Sequence, residues 1–111
     1  MSITTHVLDI ARGRPAAGLA VTLSRRGGNG AWSAVGKGVT DDDGRVVDLT
    51  SERVEAGDYR LDFATEAYFK SAGAKAFYPE VSVVFTVADP GADHHVPLLL
   101  SPFGYSTYRG T

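Results

Sequence analysis

The chain has 111 residues, of which 43% are hydrophobic and 22% charged, the make-up of one ordinary globular domain expected to span residues 1–111. It contains no cysteine, which excludes disulfides and thiolate metal sites, and its net charge of −2 offers no electrostatic attraction to nucleic acid. No apolar run approaches the length of a membrane span, and the opening residues lack a basic region followed by an apolar core, so a cytoplasmic protein without a membrane anchor is expected.

A first strand is predicted over residues 4–10. The alternation of Leu19, Val21 and Leu23 with Ala20, Thr22 and Ser24 predicts a second, half-buried strand ending near Arg25. Gly27-Gly28-Asn29-Gly30 turns the chain into a strand over 32–39. Asp41-Asp42-Asp43-Gly44 marks the next turn, with a short strand after Arg45, and Ala56-Gly57-Asp58 a third turn. Tyr59, Leu61 and Phe63 alternate with Arg60 and Asp62. Residues 65–72 break the period: Thr65 reads as an N-cap, Tyr68 and Phe69 as a buried side and Gly73 as a stop, giving a two-turn helix. Val81, Val83, Phe85 and Val87 resume the alternation, and strands follow at 95–100 and 105–109. About eight short strands with frequent turns predict an all-β, antiparallel sandwich. Its sheet edges, and the aromatic Phe103, Tyr105 and Tyr108, favour a symmetric homo-oligomer.

Three histidines are available for chemistry. His6 shares a strand face with Thr4, Leu8 and Ile10, and taken alone reads as a surface or edge histidine. His94 and His95 are adjacent, so they point to opposite faces, His94 with the apolar Val96, Leu98 and Leu100. That divergence argues against a shared metal ion, although His6, Asp93 and one of the pair have the ligand types of a zinc site. The acidic turn lacks the spacing of a calcium loop, no phosphate-binding glycine loop is present, and no serine sits in a nucleophile elbow. The terminal residues Tyr108, Arg109, Gly110 and Thr111 combine side chains that are costly to immobilise with a carboxylate, a composition suited to lining a site. Imidazoles that relay protons, guanidiniums that hold oxyanions and a carboxylate together suit non-covalent hydrolysis of an activated amide or lactam. The residues themselves do not name a substrate.

Taken together, the segments Thr5-His6-Val7-Leu8-Asp9, Thr40-Asp41-Asp42-Asp43-Gly44-Arg45, Phe77-Tyr78-Pro79-Glu80-Val81, His95-Val96-Pro97-Leu98-Leu99-Leu100-Ser101-Pro102 and Phe103-Gly104-Tyr105-Ser106-Thr107-Tyr108-Arg109-Gly110 resemble the 5-hydroxyisourate hydrolases, the transthyretin-related family of purine catabolism. The resemblance covers essentially the whole chain. It implies a transthyretin-like sandwich of two four-stranded sheets with one short helix, assembled as a homotetramer, a dimer of dimers. It also implies hydrolysis of the lactam of 5-hydroxyisourate to 2-oxo-4-hydroxy-4-carboxy-5-ureidoimidazoline, on the route to allantoin, with no cofactor and no metal.

By the same resemblance, His6, Arg45 and His95 are the catalytic residues, and these three with Tyr108, Arg109, Gly110 and Thr111 bind substrate. The tail is expected at a subunit interface, facing His6, Arg45 and His95. Two positions depart from the family pattern: Thr111 stands where Ser is usual, and Asp93 where a histidine often precedes His95. A carboxylate close to His95 would raise its pKa. Transthyretin shares the fold and carries hydrophobic hormones, so a small-ligand carrier without catalysis is the competing reading, and a purely structural sandwich a third.

Overall fold

Along β1 (Ile3–Asp9) every second side chain is buried, Ile3, Thr5, Val7 and Asp9 facing inward and Thr4, His6 and Leu8 outward. The structure, a computed structural model, describes residues 2–50 and 53–111. The further strands are β2 (Arg14–Pro15), β3 (Ala20–Arg26), β4 (Trp32–Val39), β5 (Arg45–Val46), β6 (Gly57–Phe63), β7 (Val81–Val87), β8 (His94–Ser101) and β9 (Gly104–Thr107), with one helix, α1 (Thr65–Ser71). One sheet has the order β4-β3-β6-β7. The other runs β2-β1-β8-β9, with β5 also paired to β1. The short β2 and β5 lie in tandem on one edge of β1, β5 against Thr5 and His6 and β2 against Leu8 and Asp9. Together they fill the fourth strand position of the expected four-stranded sheet.

The pairings among the described strands are antiparallel except β1 with β8, which run parallel from Ile3↔His94 to Asp9↔Leu100. Local alternation carries no information on strand direction. A parallel pair needs a long crossover, and here the entire other sheet supplies it. The two sheets enclose one core, to which Val7, Val96, Leu98 and Leu100 contribute from the first and Val21, Leu23, Leu61 and Phe63 from the second. Each such side chain contributes about 1.5–3 kcal/mol on burial. In β4 the register passes from Leu23↔Gly36 to Ser24↔Ala34, so Val35 is the extra residue of a bulge and packs partly against the core.

The helix begins differently from the sequence expectation. Its N-cap is Ala64, which makes no side-chain cap bond, and Thr65 is already helical and fully buried. The Thr65 hydroxyl donates to the carbonyl of Tyr78 (2.8 Å), and the carbonyl of Pro79 accepts from the amide of Glu66 (3.0 Å). The chain returning after the helix thus satisfies, at Glu66, a first-turn amide that an N-cap side chain serves elsewhere. Gly73 ends the helix at φ +76, as its sequence position predicts. Tyr68 and Phe69 are buried, and the Tyr68 hydroxyl donates to the buried carboxylate of Asp9 (2.7 Å), tying helix to β1. Burial and the hydrogen bond to Asp9 push the Tyr68 pKa up to about 12.

Candidate active site

The outward faces of β1 and β8 carry the chemistry. Because β1 pairs His6 with Arg45 on one side and Thr4 with His95 on the other, these residues are brought side by side across three adjacent strands. The row continues past β8: the amide of Gly110 donates to the carbonyl of His95 (2.8 Å), closing a bridge between the tail and β8. The seven expected site residues, His6, Arg45, His95, Tyr108, Arg109, Gly110 and Thr111, all line one open cleft of about 750 Å³. The tail was expected to continue as a strand through 109. The ladder instead stops at Thr107, and only Gly110 rejoins it. Tyr108, 56% exposed, borders the cleft and also a smaller apolar recess shared with Val83, Val84, Phe85 and Thr107.

The acidic turn is a scaffold for Arg45 and His6. One carboxylate oxygen of Asp41 accepts from the amides of Asp43 (2.9 Å) and Arg45 (3.0 Å). Gly44 has φ +77, and a Cβ there would lie 2.3 Å from the carbonyl oxygen of Val7, so the turn admits only glycine against β1. The carbonyl of Asp43 then accepts from Nε2 of His6 at 2.8 Å. A carbonyl oxygen can only accept, so Nε2 bears the proton, and in the neutral ring Nδ1 holds the lone pair.

His95 is half-buried, and its Nδ1 lies 2.7 Å from the hydroxyl of Thr4. Burial, then the positive charge of Arg45 and the neighbouring His6, hold its pKa below the ordinary 6.5. This runs opposite to the rise that an approaching Asp93 would cause: the Asp93 carboxylate accepts instead from the amide and hydroxyl of Ser2, each at 3.2 Å. The lowered pKa keeps the imidazole neutral, and so basic, at pH 7. Gly110 packs directly on this ring, where a Cβ would stand 2.6 Å from Cδ2 of His95. His94, by contrast, turns into the interior and is held through Nδ1 to the carbonyl of Ala92 (3.0 Å). Of the zinc ligand types, His94 is buried away, while His6, Asp93 and His95 border the same cleft but are engaged by Asp43, Ser2 and Thr4 respectively. Among the described residues no three His, Cys, Asp or Glu side chains converge to hold a metal ion.

Residues 3–110 match the family model described as the HIUase/Transthyretin family. The chain belongs to this family. It is 47% identical over 111 residues to a 5-hydroxyisourate hydrolase of Mus musculus, covering 98% of this chain and 94% of the relative. Its backbone is similar to that of Klebsiella pneumoniae 5-hydroxyisourate hydrolase, with a TM-score of 0.88 and 35% identity over the full length of both chains. It is also similar to sea bream transthyretin in complex with thyroxine, with a TM-score of 0.92 and 34% identity over 100% of this chain and 96% of that one. Within the HIUase/Transthyretin family, then, backbone shape does not separate a 5-hydroxyisourate hydrolase from a thyroxine-bound transthyretin, and the side chains of the cleft must.

The cleft has three lining residues that the motif reading did not assign to it: Ser2, Thr4 and Asp93. Thr4 could have been found, because it shares the outer face of β1 with His6. What it touches is 91 positions away and depends on the parallel register.

Proposed function

We propose that this protein is a 5-hydroxyisourate hydrolase, opening the six-membered ring of its substrate at the lactam bond in the degradation of urate. The observation that carries the reading is the row Arg45, His6, His95 and Gly110 across three strands and the tail, in a single open cleft. Arg45, charged at every physiological pH, holds the lactam carbonyl. Nε2 of His95 takes a proton from a water molecule as the water oxygen bonds to the carbonyl carbon. The oxyanion that forms is stabilised by Arg45. The proton then passes to the ring nitrogen as the carbon–nitrogen bond breaks, leaving a ureido nitrogen and a carboxylic acid, which gives its own proton to solvent at neutral pH. His6, locked through Nε2, turns its Nδ1 lone pair to the same water. Arg109 and Tyr108 position the remainder of the substrate.

The family's likeness to a thyroxine-bound transthyretin favours a second reading, a carrier. The lining opposes it: two imidazoles, two guanidiniums and the terminal residue Thr111 form a polar cleft rather than an apolar channel. The assembly we infer is a homotetramer. Its support is the exposure of Phe103 (73%), Tyr105 (42%) and Tyr108 beside the open sheet edges β7 and β9.

The test generates 5-hydroxyisourate in place from urate with urate oxidase and follows the decay of its ultraviolet absorbance. Added protein accelerates the decay, and His95→Asn lowers the acceleration by about 10²–10³ or more. Decay at the spontaneous rate would refute the hydrolase reading and leave the carrier; full turnover by H95N would refute the mechanism.

A further inference from the structure

A histidine base needs its lone pair on the nitrogen that faces the substrate, and the other nitrogen decides this. In His95 that other nitrogen is Nδ1, and it has one protein partner, the Thr4 hydroxyl at 2.7 Å. Thr4 is a cross-strand neighbour of His95 in the parallel β1–β8 pair, and its χ1 is stiff because threonine is branched at Cβ. Nε2 of His95 has no protein partner among the described residues. The tail packs close on the ring at Gly110, where a Cβ would meet Cδ2 and Cγ of His95, so the imidazole has little room to move.

We propose that Thr4 is a positioning residue that selects the tautomer of His95: its oxygen accepts from Nδ1–H and so leaves the Nε2 lone pair in the cleft. The hydroxyl could in principle donate instead, but that arrangement puts the proton on Nε2 and removes the base. It would also have to reverse each time the ring takes a proton, because an imidazolium donates from both nitrogens. As acceptor, Thr4 serves the neutral ring and the imidazolium without change, and it stabilises the imidazolium that forms when water gives up its proton. A hydrogen bond to a charged group is among the stronger ones in proteins, which gives this contact leverage on rate.

The other titratable or charged groups around the ring are His6 from β1, Arg45 from β5, Asp93 before β8, and Tyr108, Arg109 and Thr111 from the tail. Thr4→Val removes the hydroxyl at nearly constant volume and leaves all of these in place. The inference rests on the hydrolase reading for its kinetic consequence, but its structural core can be measured without substrate. Nitrogen-15 NMR of the histidine side chains in the unmodified protein should report His95 as the Nδ1–H tautomer at pH 7.5. In T4V the tautomer should shift toward Nε2–H and the pKa of His95 should fall by about one unit, since the imidazolium loses an acceptor. Turnover should drop roughly ten- to hundredfold in kcat with little change in KM. Activity requires the unprotonated base, so the acid limb of the pH profile should move to lower pH by the same unit; a merely loosened fold would lower the rate without moving the limb. Thr4→Ser should restore both. An Nε2–H tautomer in the unmodified protein, or an unchanged His95 titration in T4V, overturns the proposal. An inactive unmodified protein with the expected tautomer would instead sink the hydrolase reading and leave the Thr4–His95 pair standing.

Discussion

Gly110→Ala is the sharpest probe of the site, because a single methyl tests how the tail and the imidazole fit. The new Cβ would sit 2.6 Å from Cδ2 of His95 and 3.3 Å from both Cγ of His95 and Cγ of Pro97. Carbon atoms in contact settle at about 3.5 Å or more, so ring and tail must separate by about 0.9 Å. Neither is free to yield. The ring is held at Nδ1 by Thr4, and the tail by the 2.8 Å bond from the Gly110 amide to the carbonyl of His95. Either the imidazole rotates off Thr4 or the bridge opens and carries Tyr108 and Arg109 with it. A misplacement of about 1 Å costs roughly 10² in rate, so kcat/KM should fall by about that factor. Stability should change little, because Gly110 lies outside the core and the bridge is one backbone hydrogen bond, worth about 1 kcal/mol. The assay pairs absorbance decay of 5-hydroxyisourate with a thermal melt. Unaltered turnover would refute the packing argument, and a collapse of Tm matching the loss of rate would show that the tail is a structural clasp.

Two further predictions concern Tyr68 and the tail. Tyr68→Phe removes the donor to one oxygen of the buried Asp9 carboxylate and should cost about 1–3 kcal/mol, read in a urea or thermal melt. Because the folded-state pKa of about 12 lies above the ordinary 10.0, the stability contributed by the phenol is intact below pH 10 and lost as the pH rises through about 12; an alkaline melt series on Y68F should lack that step. A bulky uncleaved extension after Thr111 fills the cleft that the terminal residues line, so it should reduce kcat/KM more than it reduces Tm, and undiminished activity would count against the tail's placement.

How far the sequence could be read depended on whether a feature was local. The alternation in β1, β3, β6 and β8 was legible because each buries one face on a core, and the period alone places His94 inward and His95 outward. The resemblance supplied the site residues, and the register gathers them in one cleft. Non-local features were not legible. The parallel pairing of β1 with β8 leaves no mark in either strand. The two-residue β2 is too short to carry a period. The first-turn amide of Glu66 in α1 is capped by the carbonyl of Pro79 beyond the helix, and the Thr65 hydroxyl is spent on Tyr78, so Thr65 only resembles an N-cap residue. Thr4 looks like any threonine on a strand until the register brings His95 beside it.

The parallel pair also fixes when the protein becomes functional. In a growing polypeptide the β3, β4, β6 and β7 sheet uses neighbours within residues 20–87, and can close while the remainder is still being made. Thr4 pairs with His95 and His6 with Pro97, 91 positions further along the chain. The first strand must therefore wait for the eighth, a long-range closure of the kind that slows folding. Turnover then depends on that pairing: until β1 and β8 meet, the core between the two sheets lacks one of its walls, and Thr4, His6 and His95 do not share a cleft.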